Sequence, residues 1–106
     1  MIPAKSRLPR DGFKAGGYRS LRTPYFSLKF KDNGRSANRI GVVVGKSVDN
    51  RAVRRNFLER QAKTQLFKAS AAGKDLLMIV FSKATSLTKK QFSEEIKKAL
   101  KTISNF

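Results

Sequence analysis

The densest group of side chains suited to chemistry lies between positions 46 and 63, where basic residues surround one asparagine. These residues are Lys46, Arg51, Arg54, Arg55, Asn56, Arg60 and Lys63. Guanidinium groups donate paired hydrogen bonds to phosphate oxygens, and their planar faces stack on bases. The cluster therefore predicts binding to a phosphate-rich polymer. A solvated helix face is the alternative explanation, and these residues alone do not distinguish RNA from DNA.

The chain lacks the side chains most often used for catalysis near neutral pH. Its 106 residues include no cysteine and no histidine, which leaves carboxylates and lysines as candidate catalysts. The carboxylates are Asp11, Asp32, Asp49, Glu59, Asp75, Glu94 and Glu95. Only Glu94 and Glu95 are neighbours, and adjacent helix positions point about 100° apart. We therefore predict no catalytic residue and no metal site in this chain.

The overall charge indicates a polyanionic partner. Lysine and arginine number 24 against 7 acidic residues, for a formal net charge of +17, whereas small soluble domains are well served by a net charge of roughly 2 to 8. Nucleic acid is the leading partner, and a merely soluble basic domain is the weaker alternative. The longest apolar run, residues 76–81, is far shorter than the roughly 20 residues that span a membrane. No secretory signal is visible at the start, so we expect a cytoplasmic protein with no membrane partner.

A helix is needed to position the basic cluster. Residues 50–71 contain no glycine or proline, and Asp49 or Asn50 is available as the N-cap. Its apolar seam is predicted at Leu58, Ala62, Leu66 and Ala69. Asn56, Arg60 and Lys63 then project away from the seam. Arg51 and Arg55 stack one turn apart near the helix N-terminus, where the helix dipole also favours anions.

Alternating sequences predict the strands beside this helix. In residues 23–31, Phe26, Leu28 and Phe30 share one face, and Tyr25, Ser27, Lys29 and Lys31 share the other. A turn at Asp32-Asn33-Gly34 leads to a second strand over residues 39–45, with Ile40, Val42 and Val44 on one face. The two strands are predicted to form a hairpin-like pair with a loop longer than two residues. Residues 74–82 predict a central strand buried on both faces, with Gly73 closing the preceding helix.

The two ends of the chain differ in character. Residues 1–22 are basic and rich in glycine and proline, which predicts a mostly extended or irregular segment. Thr88 to Gln91 fits a capping box for a final helix, with Glu94 placed to meet Lys98. The apolar face of that helix is Phe92, Ile96, Ala99, Leu100 and Ile103. The element order predicts one α/β domain over residues 1–106, with helices packed on a mixed sheet.

Residues 39–56, RIGVVVGKSVDNRAVRRN, resemble the signature of the bacterial ribonuclease P protein. In that family a strand exit with glycine, serine and two lysines precedes Ala-Val-x-Arg-Asn-Arg. The likeness continues at Pro3, at Arg7-Leu8, at Phe13, in residues 76–81 and in the terminal helix, so it spans nearly the whole chain.

The sequence departs from the family pattern at several positions of this motif. Phe57 stands in place of the second arginine of Arg-Asn-Arg, and Glu59 in place of a lysine. Ser47 replaces the second lysine after the strand, and Gly45 replaces a serine. Glycines around Phe13 also shorten the first helix.

The resemblance implies a two-layer α/β sandwich with a left-handed strand-helix-strand crossover, although such crossovers are right-handed in nearly all proteins. It also implies an accessory subunit of ribonuclease P, an endonuclease whose RNA subunit binds Mg²⁺ and performs the chemistry, with the isolated protein inactive. The implied partners are the catalytic RNA, contacted by the arginine-asparagine helix, and precursor tRNA, with no small-molecule substrate. The single-stranded 5′ leader of that tRNA would lie in a cleft between the sheet and the family's first helix, which is the N-terminal one around Phe13. Phe13, Tyr25 and Lys29 are the cleft candidates, with core packing the alternative for Phe13.

Two other functions fit a small basic chain. A structural ribosomal protein would bind RNA without turnover, and it is the second choice. A DNA-binding module is less favoured because the arginine-rich helix lacks a second helix arranged as a helix-turn-helix.

Overall fold

The computed structural model describes residues 17–34, 38–45, 47–49, 51–68 and 73–103. Its elements are the strands β1 (Arg19–Arg22), β2 (Phe26–Asp32), β3 (Arg39–Val44) and β4 (Lys74–Val80), the helices α1 (Ala52–Phe67) and α2 (Lys89–Ile103), and a short 3-10 helix (Ser82–Ser86). The strand order in the sheet is β1-β2-β4-β3. Strand β4 pairs antiparallel with β2 and parallel with β3. Because β4 lies between them, the predicted hairpin-like pair of β2 and β3 is wrong. The mixed sheet and the interior position of β4 confirm the predicted fold class, while the hand of the β3-α1-β4 crossover stays a prediction.

The core lies between one face of the sheet and the two helices. The strand residues of this face align across the sheet, with Met78 of β4 opposite Leu28 of β2 and Val42 of β3. The residues of this core cluster are Phe26, Leu28, Phe30, Ile40, Val42, Leu58, Ala62, Leu66, Leu76, Met78, Val80, Ala84, Phe92, Ile96, Ala99 and Ile103. Each large apolar side chain buried in this way contributes about 1.5 to 3 kcal/mol relative to exposure. Phe26 and Phe92 meet edge to face at 6.4 Å, which ties α2 to the sheet.

Helix α1 matches the prediction in its buried seam and differs in its ends. Leu58, Ala62 and Leu66 are buried as predicted, whereas Asn50 and Ala69 lie outside the described residues. The helix ends at Phe67, so Gly73 does not close it; with φ +79°, Gly73 leads directly into β4. Asp49 is not the N-cap either. Arg51 holds that position without a side-chain cap, and the Asp49 carboxylate accepts the backbone N–H of Arg51 at 2.9 Å.

Helix α2 begins at the predicted capping box. The backbone N–H of Thr88 donates to Gln91 Oε1 at 2.9 Å, and the Gln91 N–H donates to Thr88 Oγ1 at 3.2 Å. The predicted apolar face is confirmed, with Leu100 half-buried at its margin. The predicted ion pair of Glu94 with Lys98 is wrong. Lys98 pairs with Glu95 at 3.3 Å instead, because helix neighbours three positions apart also lie within reach of each other.

The last four residues of the N-terminal segment form a strand that was not predicted as a separate element. Arg19–Arg22 forms the edge strand β1, paired antiparallel with β2, so that Ser20 lies opposite Lys29. The strand predicted from residue 23 begins instead at Phe26. The Thr23 side chain organises the intervening turn, since its hydroxyl accepts the backbone N–H groups of Tyr25 and Phe26, each at 3.1 Å.

Candidate nucleic-acid interface

The start of α1 gathers three arginines around one residue, Asp49. The Arg51 guanidinium donates to both carboxylate oxygens, from Nε to Oδ1 at 3.1 Å and from Nη2 to Oδ2 at 2.9 Å. Arg55 Nη1 donates to the Asp49 backbone carbonyl at 3.0 Å, and Arg54 Nε lies 3.9 Å from Oδ2. The hydrogen bonds from the Arg51 side chain and backbone lower the pKa of Asp49 to about 2. We call Arg51, Arg54 and Arg55 the arginine array.

The arginine array is accessible to a ligand, whereas the Asp49 side chain is largely buried beneath it. The Arg51 side chain is 68% exposed and that of Arg54 is 37% exposed, whereas that of Asp49 is 9% exposed. The Arg54 guanidinium also lies 5.9 Å from the Phe57 ring centroid. Its Nε atom is buried and has no hydrogen-bond partner among the described residues. A phosphate approaching this end of α1 therefore meets guanidinium groups before it meets the carboxylate.

Three further predicted residues of this surface lie along α1. Asn56 and Arg60 are exposed, and Lys63 pairs with Glu59 at 2.8 Å. Val53, 80% exposed, adds an apolar side chain beside the array. Lys46 lies outside the described residues. The structure thus brings three of the predicted cations together at the helix start and places Arg60 and Lys63 along the same helix.

The sheet face opposite the core is the second candidate surface. The strand register puts Lys29 of β2 beside Leu77 of β4, which in turn pairs with Gly41 of β3. Lys29 is half-buried on this face. Tyr25 lies before the strand and packs against the core cluster, so the two cleft candidates have different surroundings. Phe13 lies outside the described residues, and the leader-binding roles of all three stay predictions.

Two cation-aromatic contacts lie at opposite ends of this second surface. Lys31 Nζ lies 4.6 Å from the Tyr18 ring centroid, and the Arg22 guanidinium lies 5.0 Å from the Phe81 ring centroid. An aromatic ring beside a cation suits an unpaired nucleotide, because the ring can stack on the base and the cation can bind the phosphate. Tyr18 and Phe81 were not predicted as site residues from the sequence. The signal available was their position next to basic or strand-forming residues, which by itself has little specificity.

A buried ion pair fixes one end of the same face. Arg39 donates to Asp75 through Nε at 2.8 Å and Nη2 at 2.7 Å, and Asn33 Nδ2 donates to Asp75 Oδ1 at 3.0 Å. Burial alone would raise the pKa of Asp75, but the hydrogen bonds from Arg39 and Asn33 and the nearby positive charges outweigh it, so this pKa lies below its ordinary value. Burial and the charge of Asp75 raise the pKa of Tyr18. The pair therefore fixes the Arg39 side chain at one end of this face, with its charge balanced by Asp75.

The fold is that of a basic α/β protein with two cation-bearing surfaces. A sequence model of the family described as Ribonuclease P matches residues 13–104. The chain belongs to the ribonuclease P protein family, which confirms the resemblance seen in residues 39–56. Membership of this family implies an RNA partner within a ribonucleoprotein.

Individual relatives support the same assignment. The chain is 35% identical over 98 residues to the ribonuclease P protein component of a Pseudanabaena species, a match that covers 89% of this chain and 84% of that protein. It is 35% identical over 72 residues to the corresponding component of Chromobacterium violaceum, covering 68% of this chain and 59% of that protein.

Solved structures share the fold. The ribonuclease P protein from Thermotoga maritima superposes with a TM-score of 0.77 at 28% identity, covering 91% of this chain and 96% of that one. The Staphylococcus aureus protein gives a TM-score of 0.80 at 22% identity, covering 92% and 94% of the two chains. The latter likeness concerns the fold alone. None of the described helices is long and apolar enough to cross a membrane.

Proposed function

We propose that this chain is the protein subunit of ribonuclease P, which binds the catalytic RNA and the 5′ leader of precursor tRNA. It would thereby aid the RNA-catalysed removal of the leader during tRNA 5′ maturation in the cytoplasm. The observation that carries the proposal is the exposed arginine array at the start of α1 in a member of this family.

The array supplies contacts to the catalytic RNA. Three guanidinium groups at a helix N-terminus add their charge to that of the helix dipole, so a phosphate is attracted by both. Asn56 and Arg60 extend the donor surface along the exposed side of α1. Such contacts position the RNA without reading its sequence, as expected for a subunit that recognises one folded RNA through its shape and backbone.

The second surface supplies contacts to the leader. Lys29 would bind a phosphate, and Tyr18 and Phe81 offer ring faces near Lys31 and Arg22 on which bases would stack. Stacking tolerates any base, because every base has a π face. This tolerance suits an enzyme whose many substrates have leaders of different sequence.

Mg²⁺ in this proposal is held by the RNA. Carboxylates are the usual protein ligands for Mg²⁺, and most of the described ones already have a basic partner. The pairs are Asp32 with Lys74, Asp49 with Arg51, Glu59 with Lys63, Asp75 with Arg39 and Glu95 with Lys98. The chain's own part is to offset phosphate repulsion when the two RNAs come together.

Reconstitution tests the proposal directly. The purified chain, added to a bacterial ribonuclease P catalytic RNA at low Mg²⁺, should increase the rate of leader removal from precursor tRNA, and the chain alone should cleave nothing. A double variant, Arg51→Gln with Arg54→Gln, should lose most of the stimulation. The matched control, Lys90→Gln with Lys97→Gln on the exposed side of α2, removes the same charge and should retain it. RNA binding without any stimulation of cleavage would favour a structural ribosomal protein instead.

A further inference from the structure

We infer that Asp49 is a positioning residue, which holds the arginine array in the arrangement that binds RNA. The inference rests on the proposed function of the array and concerns an acidic residue within a basic surface. Asp49 contacts all three arginines, through its carboxylate to Arg51 and Arg54 and through its backbone carbonyl to Arg55.

The geometry indicates that the Asp49 carboxylate positions the arginines and does not compete with RNA phosphates for them. A carboxylate that competed with phosphate would lie at the surface, but the Asp49 side chain is only 9% exposed beneath an Arg51 side chain that is 68% exposed. Asp49 engages Nε and Nη2 of Arg51, which leaves the Nη1 donors of this guanidinium for a ligand. The same guanidinium can therefore bind Asp49 on one edge and a phosphate on another.

Like-charge repulsion explains why an anchor is needed. Three guanidinium groups on neighbouring positions repel one another, and long side chains lose conformational entropy when a ligand orders them. A shielded carboxylate among them reduces the repulsion before RNA arrives. It also offsets the burial of Arg54 Nε, which lies 3.9 Å from Oδ2 and has no hydrogen-bond partner among the described residues. RNA would then meet an array that is already ordered.

The direction in which Asp49→Asn changes RNA affinity distinguishes positioning from simple charge attraction. Removing a negative charge makes the protein more basic, so attraction alone predicts tighter RNA binding for Asp49→Asn. Positioning predicts weaker binding, because the arginines lose their anchor. The Asn side chain keeps an amide oxygen that can accept the Arg51 backbone N–H, so the start of α1 should persist.

The matched control is Glu59→Gln, which removes the same charge from a position within α1. Glu59 pairs with Lys63 and makes no ion pair with the arginine array. The measurement is the dissociation constant for a bacterial ribonuclease P catalytic RNA over a series of monovalent salt concentrations. We expect Asp49→Asn to bind roughly 3- to 10-fold more weakly, as loss of preorganisation implies, and Glu59→Gln to bind as tightly as the native chain or more tightly. The slope of log affinity against log salt should also become shallower for Asp49→Asn, by about 0.7 to 0.9 for each phosphate that the array no longer neutralises.

A double-mutant cycle keeps the test valid if Asp49→Asn lowers stability. In a background that already carries Arg51→Gln and Arg54→Gln, the Asp49→Asn change should cost no further affinity, whereas a general loss of folding would cost the same in both backgrounds. Asp49→Asn binding that matches or exceeds that of Glu59→Gln would overturn the inference while leaving the proposed function intact. Failure of the native chain to bind the catalytic RNA would instead overturn the proposed function.

Discussion

At the scale of single residues, Asp75 is a buried carboxylate that holds Arg39 and Asn33 at one end of the sheet face opposite the core. Its side chain is 1% exposed and lies within hydrogen-bond distance of Arg39 and Asn33. Asp75→Asn should lower the free energy of unfolding by about 2 kcal/mol, since it removes the charge-assisted hydrogen bonds of the half-buried Arg39. Chemical denaturation at pH 7 measures the loss. Asp32→Asn is the control, because Asp32 is 86% exposed in its pair with Lys74 and should change stability little.

The pH dependence of the same variant follows from the sign of the shift. The pKa of Asp75 is lower in the folded chain than in the unfolded chain, where it is about 3.9. Its contribution to stability is therefore complete above the unfolded value and is lost as the pH falls through the folded value. The stability difference between the native chain and Asp75→Asn should shrink below about pH 4. A difference that stayed constant down to pH 2 would show that the carboxylate charge contributes nothing.

Lys29 tests the leader surface at the same scale. Lys29→Ala should weaken binding of the reconstituted enzyme to precursor tRNA by about 1 kcal/mol, or roughly fivefold, if the ammonium contacts one leader phosphate. Mature tRNA should bind almost unchanged because it has no leader. Tyr25→Ala should in addition lower stability, since Tyr25 packs against the core cluster. Equal losses of affinity for both RNAs would mean that this face contacts another part of the substrate.

At the scale of elements, α1 presents two faces whose variants should separate stability from binding. Leu58 is 3% exposed, so Leu58→Ala should lower the free energy of unfolding by about 2 to 4 kcal/mol through the cavity it leaves. Arg60 is exposed on the other side, and Arg60→Ala should weaken binding to the catalytic RNA with little change in stability. Thermal melts and RNA titrations of both variants provide the comparison. A large loss of stability in Arg60→Ala would count against a binding role for this side of the helix.

The elements also show what a sequence can and cannot predict. Repeating patterns predicted the buried seam of α1 and the alternation of β2 because each period has one geometric meaning. The capping box was predicted for the same reason, since both of its hydrogen bonds lie within four residues. Strand β1 was missed because only Leu21 of its four residues is apolar, and it exists through pairing with β2.

Long-range contacts limited prediction of the site in a similar way. Asp75 and Arg39 are 36 positions apart, and no local pattern connects them. The three arginines were predicted as phosphate ligands from their type and spacing, but Asp49 was considered only as a helix cap. Its true partners depend on the path of the loop before α1, because the residues lie two, five and six positions away. That path is determined by packing in three dimensions.

At the scale of the whole molecule, the dominant feature is a net charge of +17 on 106 residues. Self-repulsion of this size opposes compaction, and a polyanion relieves it. The charge is useful only if RNA neutralises it, so binding and stability are linked. Under the proposed function, the number of cations on the α1 surface would determine how many counterions the catalytic RNA displaces.

The salt dependence of RNA affinity measures the number of counterions that the RNA displaces. If Arg51, Arg54, Arg55, Arg60 and Lys63 each neutralise one phosphate, log affinity for the catalytic RNA should fall with log salt at a slope of about −3.5 to −4.5. Replacing Arg51 and Arg54 by glutamine should make that slope shallower by about 1.4 to 1.8, since two phosphates are then no longer neutralised. The α2 control, Lys90→Gln with Lys97→Gln, removes the same net charge from exposed positions away from the array and should leave the slope unchanged. Equal reductions in slope for both double variants would mean that the charge acts diffusely, and a flat response of the native chain would contradict the electrostatic account altogether.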